Sequence, residues 1–224
     1  MMFSPEILTG QTEKNLVEFH GHLVHWGIVG DLQALSIAAK QAGFELGIAS
    51  SFRSFDRQSL IWKKKYNCEL PVFDINDNKL DLANLTDLER CQAIMLFSAL
   101  PGASRHHWGT DFDYYDKSKV SDRYQIRLQK AEYQSGGRFC ELNEWLDENM
   151  EKFGFYKPYD KYRGGIASEP WHLSHKSTSE IMLRRFSLKL LTKVLKKHEI
   201  EGKEAVLNNL PALYQQFITN INKD

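Results

Sequence analysis

The chain has 224 residues, 29 basic and 29 acidic side chains and a formal net charge of zero, with 42% hydrophobic and 26% charged residues. That is the profile of a globular domain able to bury its own core, and no stretch approaches the roughly 18 apolar residues a membrane span requires. Balanced charge without a long basic run also argues against non-specific nucleic-acid binding, which draws its energy from phosphate neutralisation.

Met1 to Gly10 lacks both the basic segment and the apolar core of a secretory signal. As written, the chain is expected in the cytoplasm, the alternative being the cell envelope by an unrecognised route. His20, His22 and His25 have ligand-like spacing, but only Glu18 offers a carboxylate nearby, so they are expected in packing or surface roles. Asp31 is placed to cap a helix through Leu32, Leu35, Ile37 and Ala38 that ends near Gly43. Phe44, Leu46 and Ile48 alternate at period two and predict a strand into Ala49. Residues 50–54 form a turn, and Phe55 to Tyr66 a helix with Leu60, Ile61 and Trp62 inward.

Pro71 to Leu85 is rich in Asp and Asn and predicts a loop or short hairpin, without the spacing of a calcium loop. Thr86 to Glu89 is a capping-box pattern ahead of an amphipathic helix through Cys91, Ile94, Met95, Phe97 and Leu100, stopped by Pro101-Gly102. A strand is predicted from Gly109 to Tyr114, and a helix carrying Leu142, Trp145, Leu146 and Met150 that Gly154 closes. A second capping-box pattern, Ser177 to Glu180, opens a helix to about Lys197. The last helix runs from Lys203 to about Ile221, with Pro211 as a breaking point. Cys68, Cys91 and Cys140 lie far apart, which excludes a disulfide framework and a zinc ribbon and leaves them as small buried hydrophobes. Helices and short strands mix without regular βαβ alternation, so the fold class is α+β.

Two segments concentrate the chemistry. Ser104-Arg105-His106-His107-Trp108-Gly109-Thr110-Asp111-Phe112-Asp113 sets a histidine seven residues before an aspartate, and Glu169-Pro170-Trp171-His172 sets a glutamate three before a histidine. Either alone is weak, because a single histidine is usually structural. Together they supply two imidazoles and two carboxylates, the minimum for a hydrolytic zinc site with three protein ligands and one acid left over as general base. On residue chemistry alone, a metal site and a structural cluster both stay open.

Ser104, His106, Gly109 and Asp113 match the Ser-x-His-x-x-Gly-x-x-x-Asp motif of the VanY-type zinc D-alanyl-D-alanine carboxypeptidases, and Glu169-Pro170-Trp171-His172 resembles their Glu-x-Trp-His motif. Ser51-Phe52-Arg53-Ser54-Phe55 with Gln58 is similar to a third family segment. Trp145-Leu146 with Phe153-Gly154-Phe155 is similar to the helix and strand before the second motif. The resemblance runs from about Gly43 to His172. It implies a hedgehog-like α+β fold whose small antiparallel sheet carries a zinc site and is packed with helices. It further implies one peptidase domain over 1–224, with a motif-bearing core at about 43–175 and terminal helical extensions at 1–42 and 176–224.

By the same resemblance His106, Asp113 and His172 are the zinc ligands and Glu169 is the base that activates water. Arg53 grips a substrate carboxylate or the developing oxyanion, Ser104 and Gln58 orient the peptide end, and Trp171 walls the site. His107 and His175 match no family role and are expected to be structural. Asp111 departs from the pattern, which has a small residue there. Sharing a strand face with Asp113, it would contribute charge near the metal, bind a substrate amino group, or replace Asp113 as ligand. Leu173-Ser174-His175 is a second departure and bears on substrate preference. The implied partner is a peptidoglycan stem peptide or muropeptide and the implied reaction removal of its terminal D-alanine. The same chemistry would serve a D,D-dipeptidase, an L,D-carboxypeptidase or a wall-lytic endopeptidase, and a silent zinc-bearing binding module is the alternative of another class.

Overall fold

The computed structural model describes residues 4–223. In chain order, α1 (Pro5–Leu8) precedes a hairpin of β1 (Leu16–Phe19) and β2 (His22–His25). The turn, His20-Gly21, has φ of 49° and 83°, the positive pair that suits the right-handed twist of two-residue hairpins. Then follow α2 (Val29–Gln41), β3 (Leu46–Ser50), α3 (Phe55–Tyr66), α4 (Asp87–Met95), β4 (Asp111–Asp116), α5 (Lys130–Tyr133), α6 (Cys140–Asn149), β5 (Phe155–Tyr156) and β6 (His172–His175). The chain closes with α7 (Lys176–Arg185), α8 (Leu188–Lys197), α9 (Lys203–Leu213) and a π turn over Tyr214–Ile218.

An antiparallel sheet of order β3-β4-β6-β5 carries the site. Side chains alternate across β4, so Phe112 and Tyr114 join Leu173 of β6 in a core with Leu32 and Leu35 of α2 and Leu142 and Leu146 of α6. The same alternation turns Asp111 and Asp113 to the other face, where both are buried. A second core joins Trp62 of α3 and Ile94 of α4 to Leu191, Leu195, Val206 and Leu210 of α8 and α9. The C-terminal helices are thus built into the core that holds α3, whose N-terminus adjoins Arg53.

The α+β class and the small antiparallel sheet are as expected, and α3 has the expected bounds. Leu60 nevertheless faces solvent, while Trp62 is fully buried and donates Nε1–H to Glu201 O at 2.9 Å. Asp31 sits inside the first turn of α2 instead of capping it, and Ile37 is exposed. The Thr86–Glu89 capping box is present, but α4 ends at Met95, five residues short of Leu100. No box forms at Ser177–Glu180. The expected single helix breaks at Phe186, whose ring is buried and whose carbonyl accepts from Tyr214 Oη at 2.8 Å, and Ser187 caps α8. Pro211 lies inside α9, and the regular helix gives way three residues later at Tyr214.

The expected N-terminal helical extension contains the β1–β2 hairpin, which accepts from Phe52 N–H at Leu23 O, 3.1 Å; its residues 1–3 lie outside the described residues. All three cysteines are free, and only Cys91 is buried as expected; Cys68 is exposed and Cys140 half-buried. No helix of the described residues is long and apolar enough to cross a membrane.

Candidate active site

Three elements bring the motif residues together. Residues Arg105–Trp108 form one 3-10 turn that presents His106 and ends at Gly109. Gly109 has φ +67°, and a Cβ there would stand 2.8 Å from the backbone nitrogen of His25 and 2.5 Å from Leu16 Cδ2. Only glycine fits both the left-handed turn and the close approach of the hairpin. The chain then enters β4, where Asp113 lies directly opposite His172 of β6, and Ser50 of β3 flanks Asp113 on the other side.

His106, Asp113 and His172 each offer a ligand atom within 4.8 Å of the others. His106 Nε2 lies 3.4 Å from Asp113 Oδ2, and His172 Nδ1 lies 3.1 Å from Asp113 Oδ1. Four-coordinate zinc with bonds of about 2.0–2.2 Å sets ligand-to-ligand separations of about 3.3–3.6 Å, so the donor set and spacing fit that ion. The tautomer fits as well. His106 Nδ1 is 2.9 Å from Ser51 O, a carbonyl that can only accept, so Nδ1 carries the proton and Nε2 is left with its lone pair. Burial lowers the His106 pKa, against the opposing pull of Asp113. Burial opposes ionisation of Asp113 too, yet His106 and His172 hold its carboxyl well below the usual range.

Glu169 stands beside this group, 3.7 Å from His172 Nδ1. Its position is fixed by backbone bonds, Glu169 N–H to Tyr159 O at 2.9 Å and His172 N–H to Glu169 O at 3.1 Å. Burial pushes its pKa up to about 8, with Asp113 adding to the rise and His172, Arg53 and Lys65 opposing it. A carboxyl so perturbed by desolvation in a concave site is a candidate proton-transfer group, and one that needs a neighbouring cation to be ionised at neutral pH.

A cavity of about 260 Å³ opens onto the cluster, lined by Arg53, Ser104, His106, Asp113, Glu169, Trp171 and His172 among others. Arg53 gives Nη1–H to Gln58 Oε1 at 2.9 Å and Nη2–H to Ser50 Oγ at 3.1 Å, and makes no ion pair within 4.0 Å among the described residues. Two of its five donors are used for positioning. Its backbone is clamped as well: Arg53 N–H donates to His106 O at 3.1 Å, and Arg53 O accepts from His107 Nδ1–H at 2.6 Å. Burial lowers the His107 pKa to about 3, and its Nε2 accepts from Gly102 N–H at 3.0 Å. His107 is a neutral cross-link, and His175, bound to Asp31 at 2.8 Å and to Thr178 at 3.0 Å, is another structural histidine.

Two sequence expectations change. Gln58 is fully buried behind Arg53, with its Nε2–H given to Ala99 O at 2.7 Å, so it holds the arginine and does not face the cavity. Asp111 is fully buried, does not line the cavity, and meets Arg105 Nε at 2.7 Å, so it is neither a substrate contact nor one of the three clustered donors. Lys65 was not anticipated. It lines the cavity, donates to Ser98 Oγ at 2.7 Å, and burial pulls its pKa down to about 8. Ile61, one turn earlier on α3, lines the same cavity, but nothing in the sequence marks that helix face as the one meeting the site. Trp171 both walls the cavity and packs on Tyr133, ring centroids 5.7 Å apart.

An α+β fold in which a clustered two-imidazole, one-carboxylate set adjoins a spare carboxylate defines a candidate metallopeptidase. The sequence model of VanY, D-alanyl-D-alanine carboxypeptidase, matches residues 21–178, and the chain belongs to that family of peptidases. The match begins ahead of Gly43 and takes in β2 and α2. An uncharacterized protein of Haemophilus influenzae is 32% identical over 121 residues, covering 53% of this chain and 92% of that one. VanYB in complex with D-alanine-D-alanine shares the fold at a TM-score of 0.54 and 22% identity, over 82% of this chain and 89% of that one. A mutant of the vancomycin-resistance D,D-pentapeptidase VanY in complex with Zn(II) does so at 0.52 and 23%, over 79% and 88%.

Proposed function

We propose that the protein is a zinc-dependent D,D-carboxypeptidase that removes the terminal D-alanine from peptidoglycan stem peptides. The observation that carries this reading is Glu169, a buried carboxyl fixed 3.7 Å from His172 Nδ1 yet outside the three-residue donor set. A structural metal site has no use for a spare buried acid. Membership of the D-alanyl-D-alanine carboxypeptidase family supports the substrate class, and the fold is shared with VanY structures solved with Zn(II) and with D-alanine-D-alanine.

His106 through Nε2, Asp113 through a carboxylate oxygen and His172 through Nδ1 would hold the ion. When bound, zinc supplies a Lewis acid and water acidified toward a pKa of ~7. The remaining work falls to side chains. Arg53, held by Gln58 and Ser50, offers its free donors to the C-terminal carboxylate, for which a planar, permanently charged guanidinium is suited. Lys65 adds a second cation on the cavity wall. Ser104 orients the peptide end. Glu169 takes the proton of the attacking water at its carboxylate and delivers it to the leaving amine nitrogen, so one group serves as base and then as acid. Trp171 and Tyr159 close the wall and keep bulk water away from these charges.

The test is release of D-alanine from a pentapeptide ending in D-Ala-D-Ala by zinc-loaded protein, with a tetrapeptide and a carboxyl-amidated pentapeptide alongside. One D-alanine freed only from the free-acid pentapeptide is expected. Release of the D-Ala-D-Ala dipeptide, or cleavage of the amidated peptide at an equal rate, would contradict the assignment.

A further inference from the structure

Behind His172 lies a polar cluster to which the peptidase reading gives no task; of its members only Arg105 reaches the cavity wall. Asp111 Oδ1 is 3.1 Å from His172 Nε2 and 2.7 Å from Arg105 Nε, while its Oδ2 accepts from Thr110 Oγ1 at 2.6 Å. Arg105 Nη2 donates to Ser174 Oγ at 2.6 Å and Tyr156 Oη at 3.2 Å, and the guanidinium lies 4.9 Å from the Trp108 ring centroid. Ser174 in turn donates to Ser179 Oγ at 3.0 Å, so the cluster is tied to the first turn of α7. Asp111 and Ser174 are wholly buried, and Arg105 is 5% exposed. A buried carboxylate without compensation would be costly, and the guanidinium supplies that compensation.

We propose that Asp111 is a positioning residue: it accepts the Nε2–H of His172 and thereby locks the ring with Nδ1 aimed at the metal site, while Arg105 cancels its charge. This rests on the reading of His172 as a zinc ligand. A metal-bound histidine commonly donates its other N–H to a carboxylate, which fixes the tautomer and makes the ring a better donor. An extra acid this close would ordinarily reduce the positive charge of the centre. Here Asp111 and Arg105 sum to zero, so His172 is polarised and oriented while the zinc site with its single Asp113 ligand keeps a formal charge of about +1. The register of β4 against β6 makes the arrangement possible, because Asp111 and Asp113 share one face and reach the two nitrogens of one ring.

Zinc affinity by chelator competition and the His172 ring N–H resonance of the zinc-loaded protein test this together. Asp111→Ala should weaken zinc binding about 10–100-fold and lose the exchange-protected Nε2 proton. Asp111→Asn keeps an acceptor oxygen, so it should bind zinc more tightly than the alanine variant and retain that proton, moved upfield by the weaker acceptor. Affinity in Asp111→Ala within twofold of the parent overturns the proposal, as does an unshifted proton in Asp111→Asn. If the alanine variant fails to fold, the asparagine shift decides alone. Absence of zinc binding in the parent protein would instead overturn the zinc-site reading itself.

Discussion

Asp113 and Asp111 sit two residues apart on one face of β4, and each lies 3.1 Å from a nitrogen of the same imidazole. Their surroundings divide the site into an open end and a sealed end. At the open end, Asp113, His106, Glu169 and Arg53 border a cavity, and the acid and its neighbours are arranged around space for a ligand. At the sealed end, Asp111 is matched to a buried arginine that touches the cavity wall, while Asp111 itself does not line the cavity. Two identical side chains are therefore given different tasks by access and by compensation. A carboxylate facing a cavity and two imidazoles is available to a cation; one whose lone pairs already meet Arg105, Thr110 and His172 is a fixture.

Variants should separate the two ends, and the largest effect belongs to the open one. Asp113→Ala should abolish zinc binding and hydrolysis together, measured by metal analysis after dialysis and by D-alanine release, in contrast to the partial loss expected at Asp111. Glu169→Gln should keep zinc at the parental stoichiometry and lose about 10²–10⁴-fold in kcat, the range for removing a general acid–base group. Retained activity in that variant would remove the base assignment. Arg53→Ala should lower kcat/KM about 10–100-fold, from the loss of charge-assisted bonds worth ~1.5–3 kcal/mol. Gln58→Ala should do the same to a smaller degree, because it only releases the guanidinium; steady-state kinetics at fixed zinc distinguishes both from a metal defect.

The smallest effect is on stability. Burial pulls the Lys65 pKa down to about 8 in the folded chain, so between about 8 and the ordinary lysine value the unfolded chain binds more protons. Stability then rises with pH across that window. Lys65→Met should raise the Tm by roughly a few degrees at pH 7, and the gap should shrink as pH climbs toward 10. Thermal melts at several pH values check the sign.

The convergence of residues 104–113 with 169–172 was legible through the family resemblance, since residue chemistry alone left a structural cluster open; the glycine-permitted turn and the period-two strand within it were legible from local rules. The shared face of Asp111 and Asp113 was legible for the same reason, but alternation says nothing about which cation meets which acid. Arg105 is only six residues from Asp111, yet its role depends on Ser174 and Tyr156, brought in by β6 and β5. Gln58 was misplaced because a motif match assigns a residue to a site without saying on which side of its neighbour it lies. The break at Phe186 was invisible for a further reason. Its helical pattern continues in sequence, but the ring is drawn into a core with Trp108 and Tyr214, and the backbone carbonyl is taken by Tyr214 Oη. Tertiary packing overrode local propensity there, as it did where α4 stops short and residues 97–99 turn to line the cavity.

Anomalous diffraction at the zinc edge from crystals of the zinc-loaded protein tests the central claim most directly. A single peak bonded at about 2.0–2.2 Å to His106 Nε2, an Asp113 oxygen and His172 Nδ1, with Glu169 unbound beside it, is expected. A peak ligated by Asp111, or a saturated crystal with no peak among these three side chains, would contradict the account.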